Sequence, residues 1–574
     1  MSGRPSHSQA FSLPIAVFAT GVLIASPAIA QTAPDAGSIL RDIQRATPPL
    51  SKPPAPVQPL APEEQAPDLK PGQTVRVNDF HIRATLFPEA VLKDLVKDYI
   101  GRDCSLSDLK EAAAKIARYY RDHDYLARAY LPKQTIQGGV VEIVVLESKL
   151  GAVSVDPSST TRLDSDIAVG RVQAQQEPGA PMRPSALEAG IASLNSLPGV
   201  AASATLVPGQ AEGQTDVRLR VEDTPLVSGL VQADNASPRS VGSWRGVGSA
   251  ALNDPIGLGD QETATILRSN GSEYGRIGLA APVGPSGLSL GINASYLDFA
   301  IDREFNSSDS RGTAATVGAS ASYPLWRRDG LLLDTTLTYD HKRLVNQTAD
   351  LTVSINQIDV GGLGVSGSMR DDLLGGGITS FGVSASFGQL DLGAVPSNLA
   401  NDRISARSQG DYAKVDAVLS RLQHVAVKTD LLLALSGQWA DKNLDSSEKF
   451  SLGGPSGVRA YPVNEANGDE GWLASAELRY AVLDTLHLGP FIDAGGITQH
   501  QATWTGWQGG GSQPNSYNLY GAGLAASWQP TAWIAVKATL AHTLGDNPGS
   551  APGGYDADGY RDKTRFWLQA VVTF

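Results

Sequence analysis

One cysteine and three methionines in 574 residues leave no material for a disulfide framework or a thiolate metal centre. The single thiol, Cys104, reads as a small buried hydrophobe. Charge is scarce at 18% and unbalanced, with 46 Lys and Arg against 59 Asp and Glu for a net −13. No Lys/Arg-rich stripe is present to neutralise a phosphate backbone, so no nucleic-acid partner is expected. Long hydrophobic runs are missing too. Beyond residue 30 no window of about 18 apolar residues occurs, so a mature membrane protein would have to cross the bilayer with strands. That fits a chain that is 41% hydrophobic with a mean hydropathy of only −0.13.

Catalytic signatures are equally sparse. His81 and His123 stand alone, outside any H-E-x-x-H or Cys/His spacing, and no metal is expected. No G-x-S-x-G elbow exists, and the carboxylates show no pairing at a defined spacing. Gly362, Gly364 and Gly367 satisfy G-x-G-x-x-G, but an alternating strand follows instead of a helix whose N-terminus could hold a pyrophosphate. The expectation is therefore no enzyme, no cofactor and no nucleotide site.

What is present divides the chain. Residues 1–30 carry a basic start (Arg4, His7), an apolar run from Phe11 to Ala25 and Ala28-Ile29-Ala30, the pattern of a cleaved signal peptide. Within 31–46, the stretch Gly37 to Ala46 places Ile39, Leu40 and Ile43 on one face of an amphipathic helix, with Ser38 as its cap. Residues 47–72 are dense in proline and read as an extended tether. Two small α/β units follow, at 73–148 and 149–223, each a strand, helices and two closing strands. In the first, Pro88 to Ile100 and Leu106 to Arg121 read as helices, and Val140 to Glu147 as a strand. In the second, helices are expected near Asp164 to Val172 and Ser185 to Leu197.

From residue 224 to 574 the pattern is many segments of about ten residues, alternating apolar and polar, separated by Gly/Pro/Asn/Asp turns. Leu288, Leu290, Ile292, Ala294 and Tyr296 alternate with Ser289, Gly291, Asn293 and Ser295. Trp472, Ala474, Ala476, Leu478 and Tyr480 alternate with Leu473, Ser475, Glu477 and Arg479. A soluble sandwich alternates in the same way. The signal peptide, the aromatics at segment ends and the terminal alternating strand Phe566, Leu568, Ala570, Val572, Phe574 favour a barrel facing outer-membrane lipid. The length predicts an even strand number near sixteen.

Four segments together resemble the two-partner secretion translocators, the TpsB family of POTRA-bearing outer-membrane transporters of the haemolysin and filamentous-haemagglutinin exporter type. LNSLPGVAASATLVPGQAEGQTDVRLRVED (194–223) looks like the end of the family's second POTRA domain, and LNDPIGLGD (252–260) like its first barrel hairpin. LGGPSGVRAYPVNEANGDEGW (452–472) looks like its sixth loop with the VRGY signature, here Val458-Arg459-Ala460-Tyr461. GPFIDAGGI (489–497) carries the F-x-D-x-G signature at Phe491, Asp493 and Gly495. Alanine replaces glycine at 460, which puts a positive φ there in doubt. The resemblance implies that the loop folds into the lumen so that Arg459 meets Asp493, and that Ile39, Leu40 and Ile43 belong to a plug helix. It also implies that an unfolded secreted partner protein docks on the POTRA units and threads outward, and that the barrel-assembly machinery recognises the chain through the terminal Phe574. The alternatives are a barrel-assembly insertase of the same superfamily and a passive porin.

Overall fold

The computed structural model describes residues 34–46, 74–211, 213–302, 304–305, 309–328, 330–509 and 511–574. The expected signal peptide and proline-rich tether lie outside the described residues.

The first α/β unit builds a three-stranded sheet in which Val140–Glu147 is central, parallel to Asp79–Arg83 and antiparallel to Ala127–Tyr130. Alternation dictates its core, since Val141, Ile143 and Val145 point inward with Phe80 and Ile82. Helix Leu106–Asp122 covers that face with Leu109, Ala113, Ile116 and Tyr120, and starts at a Ser105/Asp108 capping box. Cys104 is 2% exposed in the same core. The stretch 88–100 departs from the expected single helix. The α-helix covers Glu89–Leu95, then Val96 takes φ −113° and a 3₁₀ turn spans Lys97–Tyr99. Both Val96 and Tyr99 are buried, and tightening the last turn brings the two onto the core.

The second unit repeats the order. Gln214–Asp223 is central, parallel to Lys149–Val155 and antiparallel to Val200–Pro208, with helices Ser165–Gln173 and Pro184–Asn195 packed on it. Asp124 rivets the two units. Its carboxylate accepts from Ser185 N at 2.9 Å and Arg183 Nε at 3.0 Å, and Leu126 N donates to Met182 O at 2.9 Å. Arg162 fastens the second unit to the barrel by donating to Asp254 O at 2.9 Å and Asn253 O at 3.2 Å, in the first periplasmic turn.

Sixteen antiparallel strands, from Val227–Asp234 to Thr564–Thr573, close into a barrel. Closure pairs Leu230–Asp234 with Gln569–Thr573, a seam far shorter than the ladder along strand Leu331–Thr348, which lies elsewhere in the wall and pairs along its whole length. Phe574 N and O both bond to Gly229 at the seam's end. Ile266, Ile277, Ile292 and Val317 project from the outer wall at 61–68% exposure, the apolar band a lipid-facing surface requires. The inward phase is not uniformly polar. Leu297, Phe299, Leu344 and Ile358 are buried inside one stretch of the lumen, and helix Ala36–Ala46 lies on them.

Candidate functional site

Among the described residues, two segments lie in the lumen, the helix Ala36–Ala46 and the long loop between strands Thr429–Ala440 and Glu470–Leu483. By strand order this is the sixth extracellular connection. The helix buries Ile39 and Leu40 at 1% exposure and Ile43 at 4% against the apolar lumen patch, each such side chain contributing roughly 1.5–3 kcal/mol before ordering costs. Its cap is Asp35 rather than Ser38. Asp35 Oδ1 accepts from Ser38 N at 2.9 Å, and Ser38 Oγ accepts in turn from Asp35 N at 2.9 Å, so Ser38 is the reciprocal partner of a capping box.

The loop grips this helix through polar contacts. Ser446 Oγ donates to Asp35 at 2.7 Å, and Arg41 Nη1 donates to Ser446 O at 3.1 Å. Arg41 Nη2 reaches Asn464 Oδ1 and Asn467 Oδ1, both at 3.1 Å, while Arg45 donates to Ser451 O at 2.6 Å and Ser456 O at 2.7 Å. A Cβ on Gly37 would lie 2.4 Å from Ser446 Oγ, so only glycine permits this approach.

The same loop is bound to the wall in two places. Near its start Glu448, 4% exposed, takes Lys342 Nζ at 2.6 Å and Lys414 Nζ at 3.1 Å from two separate strands. Further along, Val458, Arg459, Ala460 and Tyr461 are all buried. Arg459 presents a fork to Asp493, Nε to Oδ2 at 2.9 Å and Nη2 to Oδ1 at 2.8 Å, and its backbone N–H reaches Oδ2 at 3.0 Å. Nη1 donates to Glu477 at 2.5 Å, Arg479 neutralises the other oxygen of Glu477 at 2.8 Å, and Ser475 Oγ donates to Asp493 at 2.8 Å. The guanidinium stacks 3.4 Å over the Phe491 ring. The planar fork and the stack both need arginine, because a lysine ammonium can do neither.

Strand register explains the convergence. Ser475 pairs with Asp493 and Glu477 with Phe491, so the inward phase of two neighbouring strands supplies every acceptor. Gly495 gives the loop room, since a Cβ there would meet Leu452 Cδ2 at 2.5 Å. Ala460 keeps ordinary backbone geometry; within the loop the positive φ values fall at Gly454, Asn464 and Ala466. The space for its methyl comes from Gly521 on the facing strand, where a Cβ would sit 2.7 Å from Ala460 Cβ.

Sequence reasoning missed Glu477, Arg479, Lys342, Lys414, Glu448, Arg41 and Arg45. For Glu477 and Arg479 the signal was available, since both occupy the inward phase of the alternating run that ends at Tyr480. The lysines and Glu448 left none, because they come from segments far apart in the chain.

A greasy-walled closed barrel, an occupied lumen and two α/β units at its periplasmic mouth define an outer-membrane transporter of the POTRA-bearing class. Residues 75–148 match the POTRA domain, ShlB-type, and residues 213–526 match the haemolysin secretion/activation protein family ShlB/FhaC/HecB. The chain belongs to the haemolysin secretion/activation family ShlB/FhaC/HecB. It is similar to the haem/haemopexin transporter protein HuxB of Haemophilus influenzae strain 86-028NP, 27% identical with 100% of each chain covered. It is also similar to the outer membrane transporter CdiB of Dickeya dadantii strain 3937, 24% identical over 73% of this chain and 75% of that one. The solved structure of CdiB from Escherichia coli superposes with a TM-score of 0.64 at 20% identity, covering 93% of this chain and 95% of that one. The barrel therefore sits in the outer membrane, with the POTRA units in the periplasm.

Proposed function

We propose that this protein exports one dedicated, unfolded partner protein through its barrel. The observation that carries the reading is the doubly occupied lumen: helix Ala36–Ala46 packs on the apolar lumen wall and bonds to the sixth loop, the loop is bonded to the wall in turn, and each of these contacts is non-covalent. A passive pore has no use for a removable occupant. In this reading the client docks on the POTRA units, where exposed strand edges can take an extended segment by main-chain hydrogen bonding. The helix then leaves, the client threads outward, and folding outside gives direction.

Arg459, Asp493 and Glu477 set the loop's position in this scheme, and Ile39, Leu40 and Ile43 set the helix's. The test compares secreted, surface and outer-membrane proteomes with and without the gene. Loss of one large secreted protein supports the reading and names the client. A general fall in outer-membrane barrels would mean an insertase, and an unchanged proteome a porin.

A further inference from the structure

Among the described residues, the buried and nearly buried arginines of the barrel come with carboxylates. Arg245 has Asp234 at 2.8 Å, Arg459 has Asp493 and Glu477, and Arg565 has Asp556 at 2.9 Å. Arg171, on helix Ser165–Gln173 of the second POTRA unit, differs. It is 2% exposed, yet its only bonds run from Nη1 to Ser193 Oγ at 2.8 Å and Ser193 O at 3.2 Å, both neutral. Among the described residues Nε has no acceptor, Nη2 bonds to nothing and no carboxylate stands within ion-pair distance. Burial pulls its pKa below the ordinary arginine value, with no acidic neighbour opposing the pull. A desolvated cation without a counter-charge is costly, and anion binding relieves it.

A cavity of about 500 Å³ runs past this guanidinium, within the roughly 300–1,000 Å³ range of ligand clefts. Arg171, Gln175 and Ser193 line one side, and Gln261, Ser289 and Ser322 of the barrel line the other. Ser289 pairs with Ser322 and alternates with the outward Leu290 and Ile292, so these barrel residues face the lumen, at strand ends nearest the periplasm. The cavity thus lies where a chain would pass from the POTRA units into the barrel.

We propose that this cavity is a carboxylate site at the periplasmic mouth, in which Arg171 pairs with an Asp or Glu side chain of the unfolded client as it enters the lumen. The proposal rests on the translocator reading above. Nη2 is the unbonded donor a carboxylate oxygen would meet, and Nε beside it, buried and without an acceptor, completes the fork that donates to the second oxygen. One guanidinium matches a single negative charge. The other arginine lining the cavity, Arg327, is already held by Asp334, so a phosphate dianion finds no second cation.

The test titrates the full-length protein in detergent micelles with acetylated, amidated tetraglutamate, with tetralysine and with inorganic phosphate, read by calorimetry. Saturable binding of tetraglutamate but not tetralysine is expected, weakened at least about tenfold by Arg171→Gln and less by Arg171→Lys, which keeps the charge but not the fork. Ser193→Ala, which removes only a neutral anchor, weakens binding modestly and serves if Arg171→Gln does not fold. Equal binding by wild type and Arg171→Gln overturns the proposal, as does phosphate binding where the peptide does not bind. Client export is scored in the same strains. Export with no tetraglutamate binding by the wild type removes the site and leaves the translocator reading standing, whereas absence of export in the wild type removes that reading itself.

Discussion

Replacing Arg459 with alanine strips Asp493, 0% exposed, of two guanidinium bonds while leaving it Ser475 Oγ and one backbone N–H. Glu477 keeps Arg479, so the loss falls on Asp493. Breaking a buried pair costs roughly 3–5 kcal/mol, and the retained donors put this case near the lower end. About 3 kcal/mol is a factor on the order of 10² in the loop's opening equilibrium, at about 1.4 kcal/mol per tenfold. The assay is hydrogen exchange of the amides in 452–461, where opening governs the rate. Arg459→Ala should exchange about 10²-fold faster, and Arg459→Lys about tenfold faster because it loses the fork and stack but not the charge. The barrel ladder does not pass through Arg459, so heat-modifiability on gels should persist while export falls. Less than about threefold faster exchange in Arg459→Ala would refute the premise that this pair holds the loop.

Gly521→Ala should collide with the Ala460 methyl and loosen the loop by about 1–3 kcal/mol, as overpacking does; adding Ala460→Gly should restore wild-type exchange, and failure to do so would place the effect elsewhere. Deleting Ala36–Ala46 should raise single-channel conductance in planar bilayers, and unaltered conductance would mean the helix does not limit flow. In the first POTRA unit burial pulls the pKa of Glu147 up, but hydrogen bonds from Thr85, Tyr120 and the Leu86 amide outweigh it and hold the carboxyl below its usual range. A depressed folded pKa stabilises above the unfolded value, about 4.3, and is lost as pH falls through the folded one. Protection of the amides over 85–120, relative to their intrinsic exchange rates, should therefore fall below about pH 4 in wild type, and Glu147→Gln should be less protected already at pH 7 with a flatter pH profile.

The barrel was legible because period-2 alternation survives in almost every strand, as at Leu290, Ile292 and Tyr296. The departures from the expected pattern are informative. Leu297 and Phe299 break the polar inward phase, and in isolation they read as noise; the structure shows them to be the seat of the helix. Pro88 to Ile100 looked like one helix because periodicity cannot register a tightened turn that serves burial of Val96 and Tyr99. Asp35 escaped notice as the cap because Ser38, three residues on, has the same chemistry, and only the reciprocal bonding distinguishes the roles. The link between Arg459 and Asp493 came from paired motifs. The Lys342–Glu448–Lys414 cluster joins segments that no local pattern relates, so nothing short of the folded barrel brings them together.

The attachment of the second POTRA unit to the barrel has a mechanical consequence. A domain tethered by one strand behaves as a ball joint, free to swing about any axis. Here the covalent link after Asp223 is joined by two further anchorages, where Arg162 holds the carbonyls of Asn253 and Asp254 and the Asp164 amide donates to Gly257 O at 2.9 Å. Each added anchorage removes freedom of rotation, so the unit's orientation on the barrel is held. A load on the unit is thus delivered to the hairpin beside the Leu230–Asp234 seam, where the wall has the fewest rungs to resist it.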